Sequence, residues 1–218
     1  MSPRNLLRAN DERFADVADG LMPEEWAAPS LCTEWNNRDV LAHLVVGCTY
    51  PAAAFVGALA RHRNFDRANT AAARDIGRRR SAAELLDDFR VSSASPVGVG
   101  RYFPARLLLG DHVTHELDIL FALGREPDVP PHVLDAVLDT QVAFPNPFVP
   151  AYRNSRGLQL VAVDTGWRHG STGPTVAARA AELISVLGNR PRLLSRLQGK
   201  GAERLADRVL SRPSRTPA

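Results

Sequence analysis

The segment Tyr102–Gly124, YFPARLLLGDHVTHELDILFALG, decides how the rest of the chain is to be read. Proline is tolerated in a first helical turn and glycine is favoured just past a last one, so Pro104 and Gly124 bracket a predicted helix. Plotted at about 100° per residue, Leu109, Val113, Leu117, Leu120 and Phe121 cover one side, and Leu107, Leu108, Ile119 and Leu123 edge the other. A helix this apolar around its girth is expected to be buried. Yet Asp111, His115 and Asp118 share one stripe, because positions i, i+4 and i+7 stack on the same face. A buried carboxylate must be compensated. A metal ion or a closed hydrogen-bond network would do it.

Upstream, Leu7, Phe14, Val17 and Leu21 have helical spacing and predict an outer amphipathic helix. LMPEEWAAPSLCTEW breaks it with two prolines. Asn36, with Asp39 three residues on, starts a second helix expected to run from about 37 to 59, with His43 in its apolar surface. Ser81 and Glu84 form the capping box of a third, carrying Leu85, Leu86 and Phe89. Downstream, a shorter helix from His132 to about Ala143 is followed by FPNPFVPAYRNSRG, read as a linker. Leu158, Leu160 and Ala162 then alternate as a strand, with a turn and short second strand in DTGWRHGSTG. Helices are expected over Val176–Leu187, Leu193–Leu197 and Ala202–Leu210, and SRPSRTPA as a frayed tail.

The chain has 218 residues, 44% of them hydrophobic, enough for a real core. Its helix-rich first part, residues 1–145, and strand-containing end, residues 156–218, read as two domains. No apolar run of membrane-spanning length exists, the charged N-terminus is unlike a signal peptide, and Cys32 and Cys48 lack finger spacing. A cytoplasmic protein is expected. The net charge of +3 rests on arginine, seven of which fall between Arg61 and Arg80. That stretch could meet nucleic-acid phosphates, but aromatic residues are nearly absent from it, and a solvated loop or helix face is the preferred reading.

Three residues could form one site: His43 on the second helix, with Asp111 and His115 one turn apart on the fourth. Two imidazoles and a carboxylate suit catalytic zinc, and also iron or nickel. Histidines that are merely satisfied in a core are the alternative. Cys48 could add a soft ligand or be a buried thiol. His112 and Glu116 lie elsewhere around the helix and read as structural or surface residues, and His62, His132 and His169 as solvated.

At LCTEWNNRDVLAHLVVG, GDHVTHELDILFALGREP, LVAVDTGWRHG and AELISVLGNRP, in order and spanning nearly the whole chain, the sequence resembles the mycothiol-dependent maleylpyruvate isomerases among the DinB-like metal-binding bundles. The resemblance implies a mainly α protein, a DinB-like up-down four-helix bundle followed by a small α/β, sterol-carrier-like C-terminal domain. It implies a divalent metal, usually zinc, on His43, Asp111 and His115, with Asp111 where the family isomerase has Glu. It makes Asp118 a partner that orients an imidazole, although a helix-packing hydrogen bond would serve equally. Mycothiol is the implied cofactor, and a small electrophile the partner, isomerised or joined to the thiol. Arg190 in GNRP could hold a substrate carboxylate, or it could be only a cation favoured at a helix C-terminus.

Overall fold

The computed structural model describes residues 1–146 and 149–211, the side chains of Phe65 and Asp66 excepted. The chain divides into two compact units, residues 1–125 and residues 126 onward. The sequence placed the end of the helical part twenty residues later.

The first unit is helical: α1 (Pro3–Asp19), α2 (Pro23–Ala27), α3 (Asn37–Thr49), α4 (Ala52–His62), α5 (Phe65–Arg79), α6 (Ala82–Ala94), a 3-10 turn (Val99–Tyr102) and α7 (Ala105–Ala122). Helices α1, α3, α6 and α7 make the bundle, with α1 and α3 each packed against both α6 and α7. Phe14 and Phe89, both essentially inaccessible, meet edge to face with centroids 5.8 Å apart. Around them Leu41, Leu44, Val45 and Leu85 close the core. Each fully buried aliphatic side chain of this kind stabilises the fold by roughly 1.5–3 kcal/mol.

The caps form as the sequence indicates. Asn36 Oδ1 accepts from the Asp39 N–H at 2.8 Å, and Asp39 Oδ2 accepts from the Asn36 N–H at 3.2 Å. Ser81 and Glu84 repeat the exchange on α6. At the end of α7, Gly124 has φ +69°, where a Cβ would be strained.

One expectation fails in this unit, and one is made specific. The helix expected over 37–59 is two helices, because Pro51 lacks an N–H and holds Tyr50 in an extended conformation between them (φ −70°, ψ 122°). The arginine-rich stretch contains a regular helix, α5, whose Ala68, Asn69, Ala72 and Ala73 are buried while its arginines face outward. Arg78 and Arg79 pair with Asp75, Arg74 with Glu34 and Arg80 with Asp88. These exposed pairs fit a solvated face.

The second unit contains α8 (Pro131–Ala143), α9 (Ala151–Ser155), β1 (Gln159–Ala162), β2 (Arg168–His169), β3 (Thr175–Ala178), α10 (Ala180–Leu187), a 3-10 turn (Pro191–Arg196) and α11 (Ala202–Leu210). The sheet has the order β2-β1-β3, antiparallel on one side of β1 and parallel on the other. Leu160 and Ala162 pair with Val176 and Ala178, and all four are buried. Helix α8 packs against α9 and α10, which is why it groups here rather than with the bundle. Thr175–Ala178, read from Val176 on as helix, is a strand, and α10 starts after it, with Glu182 accepting from the Arg179 N–H. The expected helix at Leu193–Leu197 is a 3-10 turn, and α9 lies within the expected linker. Pro147 and Phe148 of that linker, and the expected tail from residue 212 on, lie outside the described residues. Among the described residues no helix is long and apolar enough to cross a membrane.

Candidate metal centre

His43, on α3, and Asp111 and His115, on α7, come together inside the first unit. His43 Nε2 is 3.4 Å from Asp111 Oδ2, and His115 Nε2 is 3.6 Å from Asp111 Oδ1. The imidazole centroids are 4.6 Å apart at 72°. Ligand atoms about 2.0–2.1 Å from one tetrahedral zinc are separated by roughly 3.3 Å, so these spacings suit a shared cation.

The hydrogen bonds around the trio strengthen that reading. His43 Nδ1 is 3.1 Å from the side-chain oxygen of Asn69, on α5. His115 Nδ1 is 3.1 Å from Asp118 Oδ2. Both oxygens are acceptors, so both Nδ1 atoms carry the proton and donate it. With the rings neutral each Nε2 has a lone pair, and both nitrogens lie within 3.6 Å of the Asp111 carboxylate. Three acceptors facing one another in a buried pocket repel unless a cation lies among them. The donor set fits a divalent metal.

Burial pushes the Asp111 carboxyl up, and in the metal-free site a proton taken up at His43 or His115 Nε2 outweighs burial and holds the group below the usual carboxylate range. Burial holds the His115 imidazole below its ordinary value, against the pull of Asp118. A carboxylate and a neutral imidazole are the protonation states that a ligand needs.

The three residues that the sequence singles out come together, with Asp118 beside His115 as the resemblance implies, but the other supporting residues carry no sequence signal. Asn69 was hidden in the arginine-rich stretch. Trp35 packs its ring 5.1 Å from that of His43 and 5.8 Å from that of His115. Cys32, overlooked in favour of Cys48, places Sγ 3.0 Å from Asp118 Oδ2. Cys48 is in neither group of potential ligands that the described residues form, His43–Asp111–His115 and Cys32–His115–Asp118. Burial first, then Asp11, pushes the Cys48 thiol up to about 12, so it stays protonated. His112 and Glu116 are not surface residues: they are 5% and 0% exposed. His112 Nδ1 is 2.7 Å from Asp11 Oδ1, and Arg13, also on α1, donates to Glu116 Oε2. Arg190, in the second unit, is 4% exposed, and its guanidinium donates to the Gly188 carbonyl at the end of α10.

Beside His43 and Asp111 is a cavity of about 30 Å³, walled by Gly47, Cys48, Pro96, Gly100 and Leu108. A Cβ on Gly100 would lie 2.6 Å from the Gly47 carbonyl oxygen, so glycine is what lets the 3-10 turn close against α3. The cavity has room for about one water molecule.

Residues 7–98 match the family described as the mycothiol maleylpyruvate isomerase N-terminal domain. Among solved structures, a histidine-to-alanine mutant of the mycothiol-dependent maleylpyruvate isomerase shares the fold, with TM-score 0.53, 11% identity and 92% of each chain covered. Another structure of the mycothiol-dependent maleylpyruvate isomerase aligns with TM-score 0.47 and 13% identity, again over 92% of each chain. No curated protein matches the chain. The helical unit thus carries both the match to the mycothiol maleylpyruvate isomerase N-terminal domain and the convergent trio, of which His43 lies within the matched residues.

Proposed function

We propose that the chain is a metal- and mycothiol-dependent enzyme acting on a small electrophile, by isomerisation or thiol transfer. The observation that carries this reading is the Asp111 carboxylate facing two imidazole lone pairs whose tautomers are set from behind. His43, Asp111 and His115 would hold the cation, zinc first, with nickel or iron as the alternatives. A divalent cation bound there would favour the thiolate of an incoming thiol near neutral pH. Asn69 and Asp118 hold the two Nδ1 protons, so that each neutral ring presents Nε2 to the cation, and the apolar α3 and α7 surfaces limit water. Arg190 is proposed to hold a substrate carboxylate. Arg190→Lys, which keeps the charge but loses the planar fork, should then raise KM more than it lowers kcat.

Metal analysis after purification without chelator tests the centre: metal should be stoichiometric in the parent and absent from His43→Ala. Asp111→Glu should keep more metal than Asp111→Asn, and equal retention would make Asp111 a packing residue. Mycothiol added to the cobalt-substituted protein should raise a sulfur-to-metal charge-transfer band that His115→Ala abolishes.

The small cavity favours a second reading, a metal-binding or stress-response module without turnover. A sugar-bearing thiol needs far more than about 30 Å³, so the wall from Pro96 to Leu108 must move to admit it. No band at saturating mycothiol, with metal still bound, would select the module.

A further inference from the structure

Behind His115, Asp118 stands where the family resemblance implies an imidazole-orienting partner, and it is joined by a residue that the resemblance does not imply, Cys32. Asp118 Oδ2 is 3.1 Å from His115 Nδ1 and 3.0 Å from Cys32 Sγ. All three residues are at most 5% exposed. Cys32 is held by its own loop: its N–H donates to Ser30 Oγ, and that hydroxyl is 2.9 Å from the Trp35 carbonyl oxygen. The neighbouring Leu31 N–H donates to the Asp118 backbone carbonyl at 3.1 Å, tying the loop to α7 at the same residue.

Two functions are open to a thiol in this place. It could be a ligand, because Cys32, His115 and Asp118 offer three metal-binding atoms within 4.8 Å of one another. Or it could be a donor that fixes Asp118. The pattern of atoms decides between them. At Asp111 two imidazole nitrogens whose rings already donate through Nδ1 face a carboxylate, so with the rings neutral no donor joins them. At Asp118 two donors, the His115 Nδ1–H and the Cys32 S–H, meet one carboxylate oxygen, so the group is complete without a cation. Sγ is also 3.9 Å from His115 Nδ1, farther than either atom is from the shared oxygen.

We propose that Cys32 is a positioning residue for the metal centre: its thiol donates to Asp118 and thereby fixes the carboxylate that orients His115. This rests on the reading of His43, Asp111 and His115 as a metal site. Without the thiol, Asp118 Oδ2 loses one of its two donors and the carboxylate can rotate. His115 Nε2 then points less well at the cation. Partners of this kind are worth about 10–100-fold in metal affinity.

The experiment is a cobalt titration with a competing chelator on the full chain, recording the visible spectrum and the thermal midpoint of each apoprotein. Cys32→Ala should weaken cobalt binding by about 10–100-fold and shift its visible bands. Cys32→Ser, which keeps a donor, should recover both. Should Cys32→Ala fail to fold, Cys32→Val, close to cysteine in volume and without a donor, should show the same loss. Equal affinity and an unchanged spectrum in the variants without a donor would overturn the proposal alone. A sulfur-to-cobalt band in the parent that Cys32→Ser abolishes would overturn it in favour of ligation. A parent protein that binds no cobalt would remove the metal reading and this proposal together.

Discussion

Helix α7 carries two buried polar stripes, and they solve burial in opposite ways. On one, His112 meets Asp11 and Glu116 meets Arg13, so donors face acceptors across the α1–α7 contact. On the other, Asp111 faces two imidazole nitrogens that are themselves acceptors. The first stripe pairs donor with acceptor within the protein, although Asp11 Oδ2 and Glu116 Oε1 have no partner among the described residues. The second does so only when an imidazole takes up a proton or a cation enters. The difference teaches that burial and charge alone do not mark a candidate metal site; what marks it is imidazole nitrogens converging on a carboxylate while their Nδ1 protons are engaged elsewhere.

The comparison is open to attack from both sides, and the largest effect is expected on the closed stripe. Arg13→Ala leaves Glu116, with a side chain 0% exposed, without its cation. Breaking a buried pair in this way costs about 3–5 kcal/mol, read by urea unfolding, and metal content should not change. Burial raises the Glu116 carboxyl above its ordinary 4.5, with Arg13 pulling the other way. The folded state therefore holds that proton more tightly than the unfolded one. The resulting stability is complete below about pH 4.5 and is lost as pH rises through the folded value. Removing Arg13 should make that loss steeper, so the variant should be closest to the parent in acid.

On the convergent stripe, Asp111→Asn should move two measurements in opposite directions. Metal affinity should fall by more than about a hundredfold, roughly 2.7 kcal/mol. With both imidazoles neutral, the apoprotein should gain about 1 kcal/mol, because an amide N–H can donate to an imidazole lone pair that the carboxylate repelled. An apoprotein destabilised by this change would mean that the acceptors are not in conflict. Asn69→Ala should weaken metal binding by about 10–100-fold, detectable by chelator competition. Cys48→Ser should have the smallest effect, about 1 kcal/mol or less in stability with metal content unchanged. Loss of metal in that variant would restore Cys48 as a ligand.

Reading the trio from sequence was possible because two of its members share a helix. The spacing of Asp111 and His115 puts them on one face whatever the rest of the chain does, and a third ligand on a neighbouring apolar helix left few candidates. Asn69, Trp35 and Cys32 carry no such signal. Asn69 reaches His43 only because α5 folds back on α3, and its arginine neighbours drew attention to charge. Cys32 reaches Asp118 across 86 positions of sequence, from a loop whose course no periodicity describes. The fold divides along the same line. Capping boxes and glycine stops are local and were legible, while the break at Pro51 was passed over because apolar residues continue on both sides of it. Val176 took the strand state because pairing with Leu160 overrode a run that also reads as helix.

Asn69 has a consequence beyond the hydrogen bond it accepts. It belongs to α5, which packs on α3 and α4 rather than taking one of the four places in the bundle. The bundle's core and all three candidate ligands thus lie on elements that would persist if the α4–α5 excursion were rebuilt, yet that excursion supplies the oxygen that sets the angle of one of them, His43. The scaffold and the adjustment of its metal centre are therefore separable. Related chains could exchange this insert and retune which cation they prefer while leaving every ligand in place.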